Sequence, residues 1–71
     1  MKKMLTTKAI AYAKKILNLE SILKDSNTTT ERFREAQQNI EKIIDEVCQI
    51  YEPTAMYKID EQIYILEKQK A

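Results

Sequence analysis

The sequence predicts an all-α fold: an antiparallel three-helix bundle, a helical hairpin plus a third helix, that associates with itself. Apolar side chains recur at steps of three and four residues in three segments, the spacing of one helical face. Tight turns and β-hairpins depend on glycine and proline, and the 71 residues include no glycine and only one proline. We expect residues 1–71 to form one domain. So short a chain buries little core, which favours a second copy as partner.

The first helix is expected over residues 6–24. Its apolar residues follow one another at steps of four, three, four, three and four, which places them on one stripe: Leu5, Ala9, Tyr12, Ile16, Leu19 and Leu23. The polar segment "KDSNTTT" then ends the pattern, because its residues prefer turns and caps.

The second helix is expected over residues 29–51. Thr28 and Glu31 have the spacing of a capping box, in which a hydroxyl and a carboxylate satisfy two free N–H groups. The apolar stripe then consists of Phe33, Ala36, Ile40, Ile43, Val47 and Ile50. Ile44, Cys48 and Tyr51 run beside it and widen it, so this helix is expected to touch both neighbours.

The third helix is expected over residues 54–69. Pro53 cannot lie inside a helix but suits the beginning of a new one. After it, the apolar stripe consists of Met56, Ile59, Ile63 and Leu66. The alternative is a β-hairpin, since "MYKIDEQIYIL" is rich in β-branched and aromatic residues, but no Asn-Gly or Asp-Gly pair is present to turn it.

The three stripes also predict a register. In an antiparallel pair of helices, the numbers of facing residues add up to a constant. The loops expected between the first and second helices and between the second and third are short enough to allow such a pairing. The register buries four isoleucines in the central layers: Ile16, Ile40, Ile44 and Ile63. It also places the acidic end of the second helix, with Asp45, Glu46 and Glu52, beside the lysines that begin the first.

Nothing in the sequence predicts an enzyme, a metal site or a cofactor. Histidine is absent, so the carboxylates Glu41, Asp45 and Glu46 are read as a solvated face and not as a metal or acid–base cluster. Cys48 has carboxylates and no cations near it in sequence, which predicts a buried, unreactive thiol. No histidine and a single cysteine also exclude the usual zinc sites and an internal disulfide.

The expected location is the cytoplasm. No apolar run approaches the roughly 20 residues that span a bilayer. The start "MKKMLTTKAIAYAKKIL" resembles a signal sequence only in its lysines, because further lysines interrupt the apolar part and no cleavage site follows. The free cysteine fits a reducing compartment. The richness in Lys, Ile and Asn indicates an AT-rich bacterial or phage genome.

Surplus apolar residues predict a protein-binding function. Ile10 and Leu17 form a second stripe on the first helix, and Tyr57, Tyr64 and Ile65 form another on the third. Some of these side chains are expected to close the contact between the first and third helices. The others are more than the register needs, and tyrosines are frequent interface anchors. We therefore expect a protein partner, a homodimer, and the role of a small regulator or inhibitor of phage or mobile-element type.

A nucleic-acid-associated regulator that uses the lysines of the first helix is the alternative. Residues 1–24 carry a net charge of +5 and residues 25–71 a net charge of −4. On a helical wheel, however, Lys8 and Lys15 flank one side of the apolar stripe, and Lys3 and Lys14 lie toward the other. The lysines are therefore not expected to form one patch, which disfavours this function.

Overall fold

The protein is described by a computed structural model that covers residues 2–69. It contains three helices, α1 (Thr6–Lys24), α2 (Thr30–Ile50) and α3 (Thr54–Gln69), packed as a bundle. The ends of the helices agree with the predicted ones to within one residue. The segment "MYKIDEQIYIL" lies inside α3, so the hairpin alternative is wrong. Among the residues described, no helix is long and apolar enough to cross a bilayer.

The helix α1 is the centre of the bundle. It packs against both α2 and α3, whereas α2 and α3 contact each other much less. The second helix touches both neighbours, as expected, but it contacts α3 much less than α1. The buried apolar side chains are Met4, Ala9, Ala13, Ile16, Ala36, Val47, Tyr51, Ala55 and Ile59. Four of the nine are alanines, and small side chains let helix axes approach closely.

The core is narrower than the register predicted. Ile16 is buried as expected, but Ile40, Ile44 and Ile63 are only half-buried. Of these three, Ile63 packs against the core cluster. Because α2 and α3 have few contacts with each other, the flank of α2 beyond α1 stays open. Leu5 and Ile50, a facing pair in the predicted register, are both exposed.

The corner between α1 and α2 is held by three polar side chains, and the predicted capping box is wrong. The cap is Thr29, one residue later than expected, whose hydroxyl accepts the Arg32 N–H at 3.2 Å. Thr28 instead donates its hydroxyl to the Ile22 carbonyl at 2.6 Å, which satisfies the end of α1. The Asp25 carboxylate accepts the Asn27 N–H at 3.0 Å, a short-range bond that closes the turn.

Replacing the cap should weaken the protein measurably. We expect Thr29→Ala to lower the free energy of unfolding by about 0.5–2 kcal/mol, because the Arg32 N–H loses its acceptor. Hydrogen exchange locates the effect: the Arg32 amide should exchange faster in Thr29→Ala and stay as protected as before in Thr28→Ala. Faster exchange of the Glu31 amide in Thr28→Ala, with Arg32 unaffected in Thr29→Ala, would restore the capping box.

The residues before α1 form an extended segment that the sequence did not reveal. Lys2 forms a parallel bridge with Tyr51: its N–H donates to the Ile50 carbonyl at 3.2 Å, and its carbonyl accepts the Glu52 N–H at 2.9 Å. The Lys58 ammonium in α3 donates to the Met4 carbonyl at 2.9 Å. The segment thus joins the start of α1 to the α2–α3 corner and buries the Met4 side chain there.

The molecule is flattened and exposes much surface for its size. Its radius of gyration is 12.9 Å and its extents are 38 × 29 × 14 Å, whereas a globular chain of this length has a radius of about 11 Å. The accessible area is 5522 Å². A folded monomer of this mass exposes about 4,600 Å². The protein thus exposes about 900 Å² more than is typical of its mass.

Candidate protein-binding surface

The outer side of α3 carries a continuous exposed stripe. Tyr57, Glu61, Tyr64 and Lys68 follow one another at steps of four, three and four, and all four are exposed. Because an α-helix repeats every 3.6 residues, this spacing places them on one side of α3, opposite the buried Ile59. We call these four residues the tyrosine face.

Its two rings face solvent almost without cover. Tyr57 is 75% exposed and Tyr64 is 59% exposed. The Lys68 ammonium lies 4.8 Å from the centroid of the Tyr64 ring, a cation–π contact of about 0.5–1 kcal/mol at an exposed site. This contact orients Tyr64 and leaves Tyr57 available as an aromatic anchor.

The other predicted interface residues do not join this face. Ile65 is exposed, but it lies about 100° around the helix from Tyr64. Ile10 and Leu17 are half-buried on α1. Leu17 shares a hollow between α1 and α3 with Leu66. The second stripe of α1 therefore serves, at least in part, the contact between these two helices. Of the five predicted interface residues, Tyr57 and Tyr64 are the two that lie on the tyrosine face.

A second surface lies on the outer side of α1. Two shallow hollows flank this helix and share Lys15 and Asn18. The hollow toward α3 has a volume of about 550 Å³ and includes Lys14. The hollow toward α2 has a volume of about 330 Å³ and includes Asn39 and Lys42. Neither hollow has a carboxylate among its lining residues.

Lys8, Lys14 and Lys15 of α1 line hollows that have Lys15 in common, so the predicted separation of Lys14 from the other two is wrong. Lys24 lies apart from them, in a hollow that is lined by carboxylates. The fully buried part of α1 is narrow: Ala9, Ala13 and Ile16. Both flanks that the helical wheel separated consequently belong to the same solvent-facing side. Every exposed residue of α1 is neutral or basic, and its one acidic residue, Glu20, is half-buried elsewhere.

At one end of this surface Glu46 of α2 lies beside lysines of α1, as the register predicted, and its hydrogen-bond partner is Tyr12. The Tyr12 hydroxyl donates to the Glu46 carboxylate at 3.3 Å, and Lys8 and Lys15 line the same hollow of about 230 Å³. The Tyr12 ring packs edge to face against Tyr51, with centroids 6.2 Å apart. Burial, and then the charge of Glu46, raise the pKa of the Tyr12 hydroxyl to about 12.

This pKa predicts a loss of stability at high pH. Above pH 10 the unfolded chain releases the Tyr12 proton first, because the folded state raises that pKa from 10.0 to about 12. The stabilisation is thus complete below pH 10 and is lost as pH rises to about 12. Absorbance titration at 295 nm should show one tyrosine ionising near pH 12 in the wild type and none there in Tyr12→Phe. Persistence of that step in Tyr12→Phe would contradict the assignment.

Two further predictions concern the burial of Cys48 and the absence of a metal site. Cys48 is exposed, so its predicted burial is wrong; it lies on the flank of α2 that α3 leaves open. Within residues 2–69, no group of three or more carboxylates or cysteines is placed to hold a metal ion.

Comparisons of the chain with known protein families, with curated proteins and with solved structures find no match. The two surfaces that could bind a partner are the tyrosine face of α3 and the lysine-rich side of α1. The first surface is aromatic, and the second is basic and polar.

Proposed function

We propose that this chain is a small protein-binding regulator that acts as a homodimer, with the tyrosine face of α3 as the contact between its two copies. The observation that carries the proposal is the pair of exposed rings, Tyr57 and Tyr64, two turns apart on one side of one helix. Tyrosine is among the residues most enriched in protein interfaces and at their energetic centres.

The exposed area supports a partner of limited size. The chain exposes about 900 Å² more than a folded monomer of its mass. A standard interface covers about 800 Å² on each partner. One contact of ordinary size would therefore bring the exposed surface to the amount that is typical of its mass.

The charges of the tyrosine face favour a second copy as that partner. In a two-fold symmetric contact between antiparallel helices, the numbers of two facing residues add up to the same value at every position. If two α3 helices cross antiparallel about a point between Glu61 and Tyr64, Tyr57 faces the partner's Lys68 and Tyr64 faces the partner's Glu61. Each ring then meets a side chain that can bind it, through a cation–π contact or a hydroxyl–carboxylate hydrogen bond.

Sedimentation equilibrium tests the proposal. At tens of micromolar we expect the wild-type chain to be a dimer. The double variant Tyr57→Ala/Tyr64→Ala should be a monomer, since losing about 2 kcal/mol at even one anchor weakens association about 30-fold. Circular dichroism should show unchanged helix content, because both rings are exposed.

Leu5→Ala provides the matched control. Leu5 is as exposed as the tyrosines but lies outside the tyrosine face, so this variant should remain a dimer. A wild-type monomer at tens of micromolar, or a double variant that still dimerises, contradicts the proposal.

A further inference from the structure

We propose that the outer side of α1 binds the phosphate backbone of a nucleic-acid duplex. The proposed site consists of Lys8, Lys14, Lys15, Asn18, Asn39 and Lys42, which we call the basic face. It lies on α1 and α2 and is separate from the tyrosine face of α3, so it extends the proposed function to a second ligand class.

The basic face is positively charged. Three hollows that share Lys15 run across the outer side of α1, and the five charged residues that line them include the four lysines of the basic face. Glu46 is the one carboxylate that lines any of them. The Tyr12 hydroxyl already binds Glu46. The four lysines and Glu46 together give the lining of the three hollows a net charge of +3, which attracts anions.

The second step is the chemistry of the side chains. Lys8, Lys14, Lys15 and Lys42 donate only hydrogen bonds, and Asn18 and Asn39 can donate through their amides. Lysine and asparagine are among the side chains that bind phosphate oxygens in nucleic-acid complexes. Protein interfaces are instead depleted in lysine and enriched in tyrosine, methionine and arginine. The basic face thus fits phosphate groups better than a protein surface.

The third step distinguishes a duplex from a single strand. Proteins that bind single strands stack bases on exposed aromatic rings. The basic face has no such ring, since Tyr12 is half-buried against Tyr51. Contacts would be restricted to the backbone, and binding should depend strongly on salt and little on sequence.

Fluorescence anisotropy with a short labelled DNA duplex tests the site. The logarithm of the binding constant should fall against the logarithm of salt concentration with a slope of about −3 or steeper between about 50 and 200 mM, as three to four phosphate contacts require. Lys14→Gln/Lys15→Gln removes two of four lysines and should reduce the slope by about half. The same titration is carried out with an RNA duplex of the same sequence. The duplex that binds more tightly shows whether DNA or RNA supplies the phosphates.

Lys24→Gln is the matched control. Lys24 is an exposed lysine of the same helix, but its hollow is lined by the carboxylates of Glu20, Asp25 and Glu67. We expect the slope to stay unchanged in this variant. Absence of binding to either duplex at about 50 mM salt, a slope that Lys14→Gln/Lys15→Gln leaves unchanged, or tighter binding to polyglutamate than to DNA overturns the proposal.

Discussion

Ile59→Ala should destabilise the protein by about 2–5 kcal/mol, among the largest effects of any single substitution. Ile59 is 0% exposed and lies in the core cluster where α3 packs. Truncation to alanine removes buried apolar carbons, so their hydrophobic stabilisation is lost. It also leaves a cavity, which the small side chains of a core rich in alanine cannot fill. The free energy of unfolding of a chain this short is about 4–10 kcal/mol. The variant should therefore unfold at much lower urea concentration than the wild type.

Ile40→Ala is the matched comparison variant for Ile59→Ala. The sequence-based register placed Ile40 in the centre of the bundle, but the side chain is half-buried. We expect this variant to lose only about 1 kcal/mol, because much of the side chain is already in contact with water. A loss at Ile40 equal to or greater than that at Ile59 would support the predicted register over the observed core.

Met4→Ala should also cost about 2–5 kcal/mol, although the residue precedes all three helices. Met4 is 2% exposed, and its carbonyl accepts the Lys58 ammonium. Truncating the side chain removes the apolar contact that holds the extended segment of residues 2–5 against the α2–α3 corner. Urea unfolding measures the loss, and hydrogen exchange should show faster exchange at the Glu52 amide, which donates to Lys2.

The adjacent residue provides the control. Leu5 is 72% exposed, so Leu5→Ala should change the free energy of unfolding by no more than about 0.5 kcal/mol. The helical spacing assigned Leu5 to the apolar stripe and left Met4 out. If Leu5→Ala proves more damaging than Met4→Ala, the placement of the extended segment is wrong.

The helices could be predicted from the sequence because their signals are local. Steps of three and four residues, the polar segment after Lys24 and the proline at position 53 all act within a few residues of the chain. The ends of α1 and α3 are consequently at the predicted residues. The cap of α2 was displaced by one residue because three threonines in succession offer the same hydroxyl, and only the path of the corner selects Thr29.

The packing could not be predicted in the same way because it depends on which helix becomes central. The stripes of large apolar residues indicated that α2 touches both neighbours, and it does, but they did not show that α1 would be the central helix. Buried alanines such as Ala9 and Ala13 let α1 pack against both other helices, and α2 contacts α3 much less. With so few contacts between α2 and α3, Cys48 is exposed and Ile40 and Ile44 are half-buried.

The candidate surfaces were predicted in part. Tyr57 and Tyr64 were singled out because their spacing puts both rings on a side of α3 that the apolar stripe does not use. The basic face was missed because a helical wheel shows angles around one helix only. Whether lysines on two flanks share a surface depends on how narrow a stripe the neighbouring helices cover, and Lys42 joins them from α2.

The central claim, that two copies meet through the tyrosine face, is tested most directly by isotope-filtered nuclear Overhauser spectroscopy on a mixture of labelled and unlabelled chains. We expect cross-chain contacts between the Tyr57 ring and the Lys68 side chain. Within one chain these residues are about 16 Å apart along α3, too far to produce such a signal. Cross-chain contacts from Ile10 and Leu17 in place of Tyr57, or a dimer without the Tyr57–Lys68 contact, would contradict the account.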